Sequence, residues 1–249
     1  MNDLESGFRF NELTWRARAT YVSHAFKAVA KQHHAELRPF LRRYLPTDAT
    51  VFDVGAHAGQ FTKLFAKMAP RGRVYSFEPG SYARSILEIA VRSSRLRNVK
   101  VIPSGLGDTA ATLTLTVPIK PRGSYRFGLA HMGGSPRADA IRNERVEVTT
   151  VDVVAAAEGL TRLDFIKADI EGWEQRMIEG GRETILQFRP ILMIEMVDNH
   201  LNRAGDSLAS AWDLLRSIGY RPHLREGSDG LALLAEPREG DIFWLADGV

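Results

Sequence analysis

Val51-Phe52-Asp53-Val54-Gly55-Ala56-His57-Ala58-Gly59 is the stretch that decides the fold. Thr50 to Val54 is short, apolar but for its carboxylate and rich in β-formers, and so reads as a buried strand. Gly55 and Gly59 then allow a tight turn and a close approach of the backbone to a ligand. Beyond the turn, Phe61, Leu64, Phe65 and Met68 recur at i, i+3, i+4 and i+7, the period of an amphipathic helix, until Pro70 stops it. A strand, a glycine turn and a helix in that order belong to an α/β fold. In such folds ligands bind at the carboxyl ends of the parallel strands.

Working outward, the same texture repeats. Val74 to Phe77 and Val99 to Ile102 read as strands on either side of a helix from Ser81 to Ser94, and Leu163 to Ala168 and Ile191 to Ile194 as buried parallel strands. Leu113, Leu115 and Val117 alternate with threonines, and Val146 and Val148 with Glu147 and Thr149, which predicts an inserted antiparallel pair around a Gly/Pro-rich loop, residues 118–145. A helix carrying Leu208, Ala211, Trp212 and Leu215 ends near Gly219, and the strands Tyr220 to Leu224 and Ile242 to Leu245 follow. The predicted class is α/β with a doubly wound, mostly parallel sheet over residues 46–249. Ahead of it, residues 1–45 read as an N-terminal helical cap, with Val22, Phe26, Val29 and His33 on one face and Pro39 as a break between two helices.

The 249 residues suffice for one main core, and the absence of cysteine excludes disulfides, thiolate zinc sites and cysteine nucleophiles. Met1 to Phe10 has no apolar leader core and no stretch approaches the ~20 apolar residues of a membrane span, so a cytoplasmic protein with no membrane partner is expected. Lys and Arg exceed Asp and Glu by 33 − 30 = +3, too little to imply a polyanion partner. Within 118–145 the excess is local, with Lys120, Arg122, Arg126, Arg137, Arg142 and Arg145 against Asp139 and Glu144, which suits either a lid attracting an anionic acceptor or a solvated loop.

Three carboxylates fall at three successive strand ends. The G-x-G-x-x-G spacing of a dinucleotide site is absent, and Asp53 beside a pyrophosphate would set like charges together at low dielectric. Asp53 suits a cationic ligand, such as the ammonium of S-adenosylmethionine. Glu78, in Phe77-Glu78-Pro79, is placed to bind both ribose hydroxyls, Asp108 to accept from the adenine amino group, and Leu106 to pack on the ring.

The chain resembles the FkbM family of S-adenosylmethionine-dependent methyltransferases, through Val51 to Gly59, Phe77-Glu78-Pro79 and Ile166-Lys167-Ala168-Asp169-Ile170-Glu171-Gly172-Trp173-Glu174. The resemblance covers roughly Thr50 to Val197. It implies the Rossmann-like class I methyltransferase sheet, seven strands with the last antiparallel, and O-methylation of sugars, polyketides or glycolipids with release of S-adenosylhomocysteine. The cofactor residues expected are Asp53, Gly55, Ala56, His57, Gly59, Glu78, Leu106, Asp108 and Asp169.

A hydroxylated acceptor loses its proton during or after attack on the methyl carbon, so a base belongs at the same rim. Asp169 ends the fourth strand, Glu195 ends the next, and His200 follows with a near-neutral imidazole; these three are the catalytic candidates, with His131 as a further base. Asp169 and Glu195 could instead share a divalent cation, but no complete ligand set is recognisable and no metal is predicted. The rival readings are a nucleic-acid methyltransferase, which Arg92, Arg95, Arg97 and Lys100 would serve, and a non-catalytic nucleotide-binding scaffold. Asp169-Ile170-Glu171-Gly172 would repel phosphate, which disfavours the first. A homodimer is left open.

Overall fold

The computed structural model describes residues 7–118, 131–132, 141–227 and 230–248. At its centre lies β1 (Thr50–Val54), buried along its whole length. It pairs in parallel with β2 (Arg73–Phe77) on one side and β8 (Phe165–Ala168) on the other. With β3 (Val99–Ile102), β9 (Ile191–Met196), β10 (Tyr220–Glu226), β11 (Gly230–Leu233) and β12 (Gly240–Ala246), the order across the sheet is β3-β2-β1-β8-β9-β12-β10-β11. The first five in that row run parallel, and β12 is antiparallel to both β9 and β10.

The resemblance implies seven strands, and among the described residues the sheet has eight. The extra one arises because the chain turns back after β10 and adds β11 as an edge strand, with Glu226 opposite Gly230. A second departure lies after β3. Ser104-Gly105-Leu106, which the third strand leads to, is β4 (Ser104–Leu106) of a separate sheet in which β7 (Ile141–Thr149), β5 (Ala111–Pro118) and β6 (His131–Met132) follow in the order β4-β7-β5-β6. The predicted antiparallel pair is present as β5 and β7, from Ala111 opposite Val148 to Pro118 opposite Ile141.

Alternation of side chains along β1 divides the core in two. Phe52 and Val54 join Phe77, Ile166 and Ile194 beneath α5 (Val151–Ala157), α6 (Glu174–Glu179), α7 (Arg182–Phe188), α8 (Asp198–Ala204) and α9 (Leu208–Ser217), where Trp212 meets Trp244 edge to face at 4.8 Å. Val51 joins Phe165, Met193 and Phe243 beneath α3 (Gln60–Met68) and α2 (Arg38–Leu41), which contributes Phe40 and Leu41. Full burial of each such side chain is worth roughly 1.5–3 kcal/mol.

The N-terminal segment packs onto this body. Pro39, predicted as a break between helices, lies in the first turn of α2, where a missing N–H costs nothing. α1 (Trp15–Ala30) lies on α4 (Ser81–Ser93) through Ala17, Tyr21 and Ala28 against Tyr82, Ile86 and Ala90. Part of the stripe read in the sequence is therefore turned outward: Val22 and Phe26 are exposed, Val29 packs at the edge of this cluster, and His33 lies beyond the helix end.

Candidate active site

Register places the strand ends on one rim, with Val54 opposite both Phe77 and Ala168, and Ala168 opposite Ile194. The residues that follow these ends, and their neighbours one position back, are the candidate site. The glycine turn closes over β2 as the N–H groups of Gly55 and Ala56 donate to the Phe77 carbonyl at 3.1 and 2.9 Å. Gly55 has φ +72°, and a Cβ there would stand 1.9 Å from the Asp169 carbonyl, so only glycine lets the turn lie against the end of β8. Gly59, φ +83°, caps α3 and packs against Leu87 rather than lining the cavity.

Glu78 is clamped from two loops. Its Oε2 accepts the His57 N–H at 2.8 Å and its Oε1 the Gly80 N–H at 2.9 Å. Each oxygen keeps accepting capacity for a ligand hydroxyl. Burial pushes its pKa up to about 7 against the pull of those two N–H groups. Burial likewise lowers His57 to about 4.

Asp53 is fully buried and lines the same cavity. Its Oδ2 accepts the Thr62 hydroxyl at 2.5 Å, and Thr62 in turn lies 3.0 Å from Ser76 Oγ. Its Oδ1 is buried with no hydrogen-bond partner among the described residues. Opposite Asp53 in the register stands Lys167, whose Nζ lies 3.4 Å from Asp169 Oδ2, 3.4 Å from the Gly55 carbonyl and 5.2 Å above the Phe61 ring. Burial raises the Asp53 pKa, with Lys167 and Thr62 opposing.

Asp169 and Glu195 share a hydrogen bond, and their titrations part. Burial opposes ionisation of Asp169, but Lys167 and the Glu195 hydrogen bond outweigh it and hold its pKa below the ordinary carboxylate value. Glu195 is pushed up to about 8, first by burial and then by the Asp169 charge. Asp241, opposite Glu195 in the register, is raised by burial and by the same charge. Of the two, Glu195 is the one whose surroundings favour the protonated form.

Glu171 and His200 form a second pair, with His200 Nδ1 3.2 Å from Glu171 Oε2 and Arg203 3.7 Å from that oxygen. Gly172 makes this approach: at φ +111° its missing Cβ leaves room for the His200 carbonyl, which a side chain would meet at 2.1 Å. Glu171 itself occupies the left-handed region at φ +56°. Burial and the Asp169 charge raise Glu171 to about 7, whereas burial and Arg203 lower His200. The imidazole is accordingly neutral at pH 7.

These groups converge on a cavity of about 430 Å³, a volume suited to a small ligand. Its walls include Ala56, Tyr82 and, from the second sheet, Leu106, Leu115, Val117 and Glu144. Glu144 accepts the Ser81 N–H at 3.1 Å and so ties that sheet to α4. Of the expected residues, Asp53, Gly55, Ala56, His57, Glu78, Leu106, Asp169, Glu195 and His200 line one space. Asp108 does not. The Gly107 N–H donates to the Thr149 carbonyl, so the backbone follows the second sheet, and Asp108 lies where its charge is felt by Asp206. The side chain of His131 and residues 119–130 and 133–140 of the basic loop lie outside the described residues. Among those described, no group of three or more His, Asp and Glu is arranged to hold a metal ion. Lys167 was missed in the sequence although it stands inside the third motif; its period-2 distance from Asp169 was the available signal.

A parallel sheet in this order, with an antiparallel β12 and a cavity at the carboxyl ends of its central strands, defines a class I methyltransferase fold. The Methyltransferase FkbM domain matches residues 53–222, and the chain belongs to that family. It is 25% identical over 200 residues to the 2-O-methyltransferase NoeI of Sinorhizobium fredii, covering 75% of this chain and 79% of NoeI. It is 28% identical over 213 residues to the antimetabolite synthetase AmbE of Pseudomonas aeruginosa, 73% of this chain but only 10% of that protein's length. In fold it is similar to the crystal structure of methyltransferase FkbM from Methylobacillus flagellatus, with a TM-score of 0.53 and 19% identity over 80% of this chain and 44% of the other. Among the described residues no helix is long and apolar enough to cross a membrane.

Proposed function

We propose that the chain transfers a methyl group from S-adenosylmethionine to a hydroxyl of a small acceptor. The observation that carries this reading is Asp53 Oδ1, a buried carboxylate oxygen without a partner among the described residues, on a carboxylate that lines the cavity beside a close-approach glycine. A buried acceptor of this kind calls for a donor, and a cationic one suits it best. Asp53 would hold the ammonium end of the cofactor and Glu78 the two ribose hydroxyls, while Leu106 would pack on the adenine. Ala56 and His57 supply the turn that holds Glu78. When bound, the cofactor supplies an electrophilic methyl carbon open to in-line attack. Asp169, kept ionised by Lys167, would complement the positive charge at the reacting end.

The base is better assigned to His200 than to either carboxylate. Asp169 is held too acidic to take a proton readily, and Glu195 is the member of the pair whose surroundings favour the protonated form. His200 is neutral, and donation from Nδ1 to Glu171 would leave Nε2 to accept from the acceptor hydroxyl. Protonated Glu195 would then orient that hydroxyl by a hydrogen bond. The name of the relative NoeI supports oxygen as the acceptor atom. Carboxyl groups at Asp169, Glu171, Glu195 and Asp241 favour a neutral polyhydroxylated acceptor over a nucleic acid.

Calorimetric titration tests the reading. S-adenosylmethionine should bind wild type in the micromolar range and NAD should not, and Asp53→Asn and Glu78→Gln should each lose that binding. A wild type that binds no S-adenosylmethionine sinks the proposal.

A further inference from the structure

On a helix packed against a protein body, the pole opposite the buried face meets water and is ordinarily polar. On α1 it is apolar. Ala17, Tyr21 and Ala28 face α4, while Trp15, Val22 and Phe26, at spacings of seven and four, stand on the far side with exposures of 73%, 57% and 70%. Ala19, exposed on the same side, continues the stripe. Phe10, Val29 and Ile89 border a shallow apolar groove beside it. Arg16, Arg18 and Lys27 form the shoulders of this ridge, and no Asp or Glu occurs between Trp15 and Ala30. Arg16 lies 5.1 Å from the centre of the Trp15 ring and Arg18 5.5 Å from that of Phe10.

We propose that the outward face of α1 docks on an anionic lipid surface, with Trp15, Val22 and Phe26 entering the headgroup boundary and Arg16, Arg18 and Lys27 meeting lipid phosphates. Aromatic and aliphatic groups on one face with cationic flanks are the composition of an interfacial helix. The charge pattern chooses this occupant over a second copy of the chain. Isologous pairing of two α1 ridges would bring basic shoulders together with no acid on either helix to answer them. A helix lying on a membrane needs no long apolar run, so the lack of a spanning stretch in the sequence does not bear on this surface.

The ridge is tied to the cavity. Lys63 of α3 donates to the carbonyls of Ala28 and Lys31 at the end of α1, and His24 Nδ1 lies 3.1 Å from the hydroxyl of Tyr82, which lines the cavity. Docking would therefore hold the cavity beside the surface. The inference does not rest on the methyl-transfer reading, and its test needs no cofactor.

The full chain is sedimented with vesicles of phosphatidylglycerol and phosphatidylcholine, and with phosphatidylcholine alone. Wild type should bind the anionic vesicles, more weakly as salt rises. Trp15→Ser/Phe26→Ser, with its circular dichroism unchanged, should bind at least about tenfold more weakly. Arg16→Glu/Lys27→Glu should lose the preference for anionic over neutral vesicles. Absence of wild-type binding, or equal binding by the serine variant, overturns the proposal. So does a dimer in ultracentrifugation that the serine variant dissolves while neither protein sediments with vesicles, which would give the ridge to a second copy.

Discussion

His200 Nδ1 stands 3.2 Å from Glu171 Oε2, and the contact exists because Gly172 admits the His200 backbone to the loop that carries Glu171. An imidazole held at one nitrogen by a carboxylate presents the other in a fixed direction. If His200 accepts the acceptor's proton, His200→Ala should lower kcat by about 10²-fold or more while leaving the affinity for S-adenosylmethionine unchanged. Glu171 has a pKa of about 7, so in wild type kcat should fall as pH drops below 7 and the orienting carboxylate takes a proton. Glu171→Gln should move that acidic limb. Full activity of His200→Ala would return the base to the Asp169–Glu195 pair.

Glu78 should make cofactor affinity depend on pH. Two hydroxyls donating to one carboxylate need it ionised, and its pKa is about 7. Titrated from pH 6 to pH 8, wild type should bind S-adenosylmethionine progressively more tightly, whereas Glu78→Gln should bind weakly and show no such rise. A parallel rise in the variant would place the titrating group elsewhere.

What the sequence made legible follows from locality. The β1 turn, Glu78 and Asp169 each lie within a few residues of a strand end, so finding the strand finds the residue. Asp108 fails by the same rule, because β4 leaves the main sheet and pairs with β7, 43 residues on from Ser104 at Glu147. No local pattern announces that pairing. The Glu171–His200 contact joins positions separated by a whole strand and two helices. The exposed stripe on α1 shows a different shortfall: periodicity identifies a face but does not say whether protein or solvent meets it.

Stability should decline above neutrality. Glu171 and Glu195 have folded pKa values near 7 and 8, above the ordinary 4.5 of an unfolded chain, so the native state binds more protons and loses stability as pH rises through that interval. His57, lowered from 6.5 to about 4, works the other way, adding stability as pH rises, but only up to about 6.5. Glu78, raised to about 7, acts in the same sense, and above 6.5 the shift of His57 no longer opposes these carboxyl groups. The melting temperature should fall across that window, and less steeply in Glu195→Gln, whose amide carries no charge at any pH. An equal slope in the variant would refute the shifted pKa of Glu195.

Gly55→Ala tests whether the close approach of turn and strand end is required. The new methyl would meet the Asp169 carbonyl at 1.9 Å and would occupy φ +72°, a region costly for any residue with a Cβ. Backbone on both sides must then move, and the penalty should be on the order of 1–3 kcal/mol. In a chain of this size each kcal/mol lowers the melting temperature by roughly 2–4 °C. The informative result is the comparison with Gly227→Ala, at a glycine that also has positive φ, +64°, but where an added methyl would meet no described atom within 4 Å. Both variants bear the conformational penalty; only Gly55→Ala should also displace Asp169 and abolish binding of S-adenosylmethionine. Retained binding in a folded Gly55→Ala protein would mean that the turn can retreat from β8 without disturbing the site.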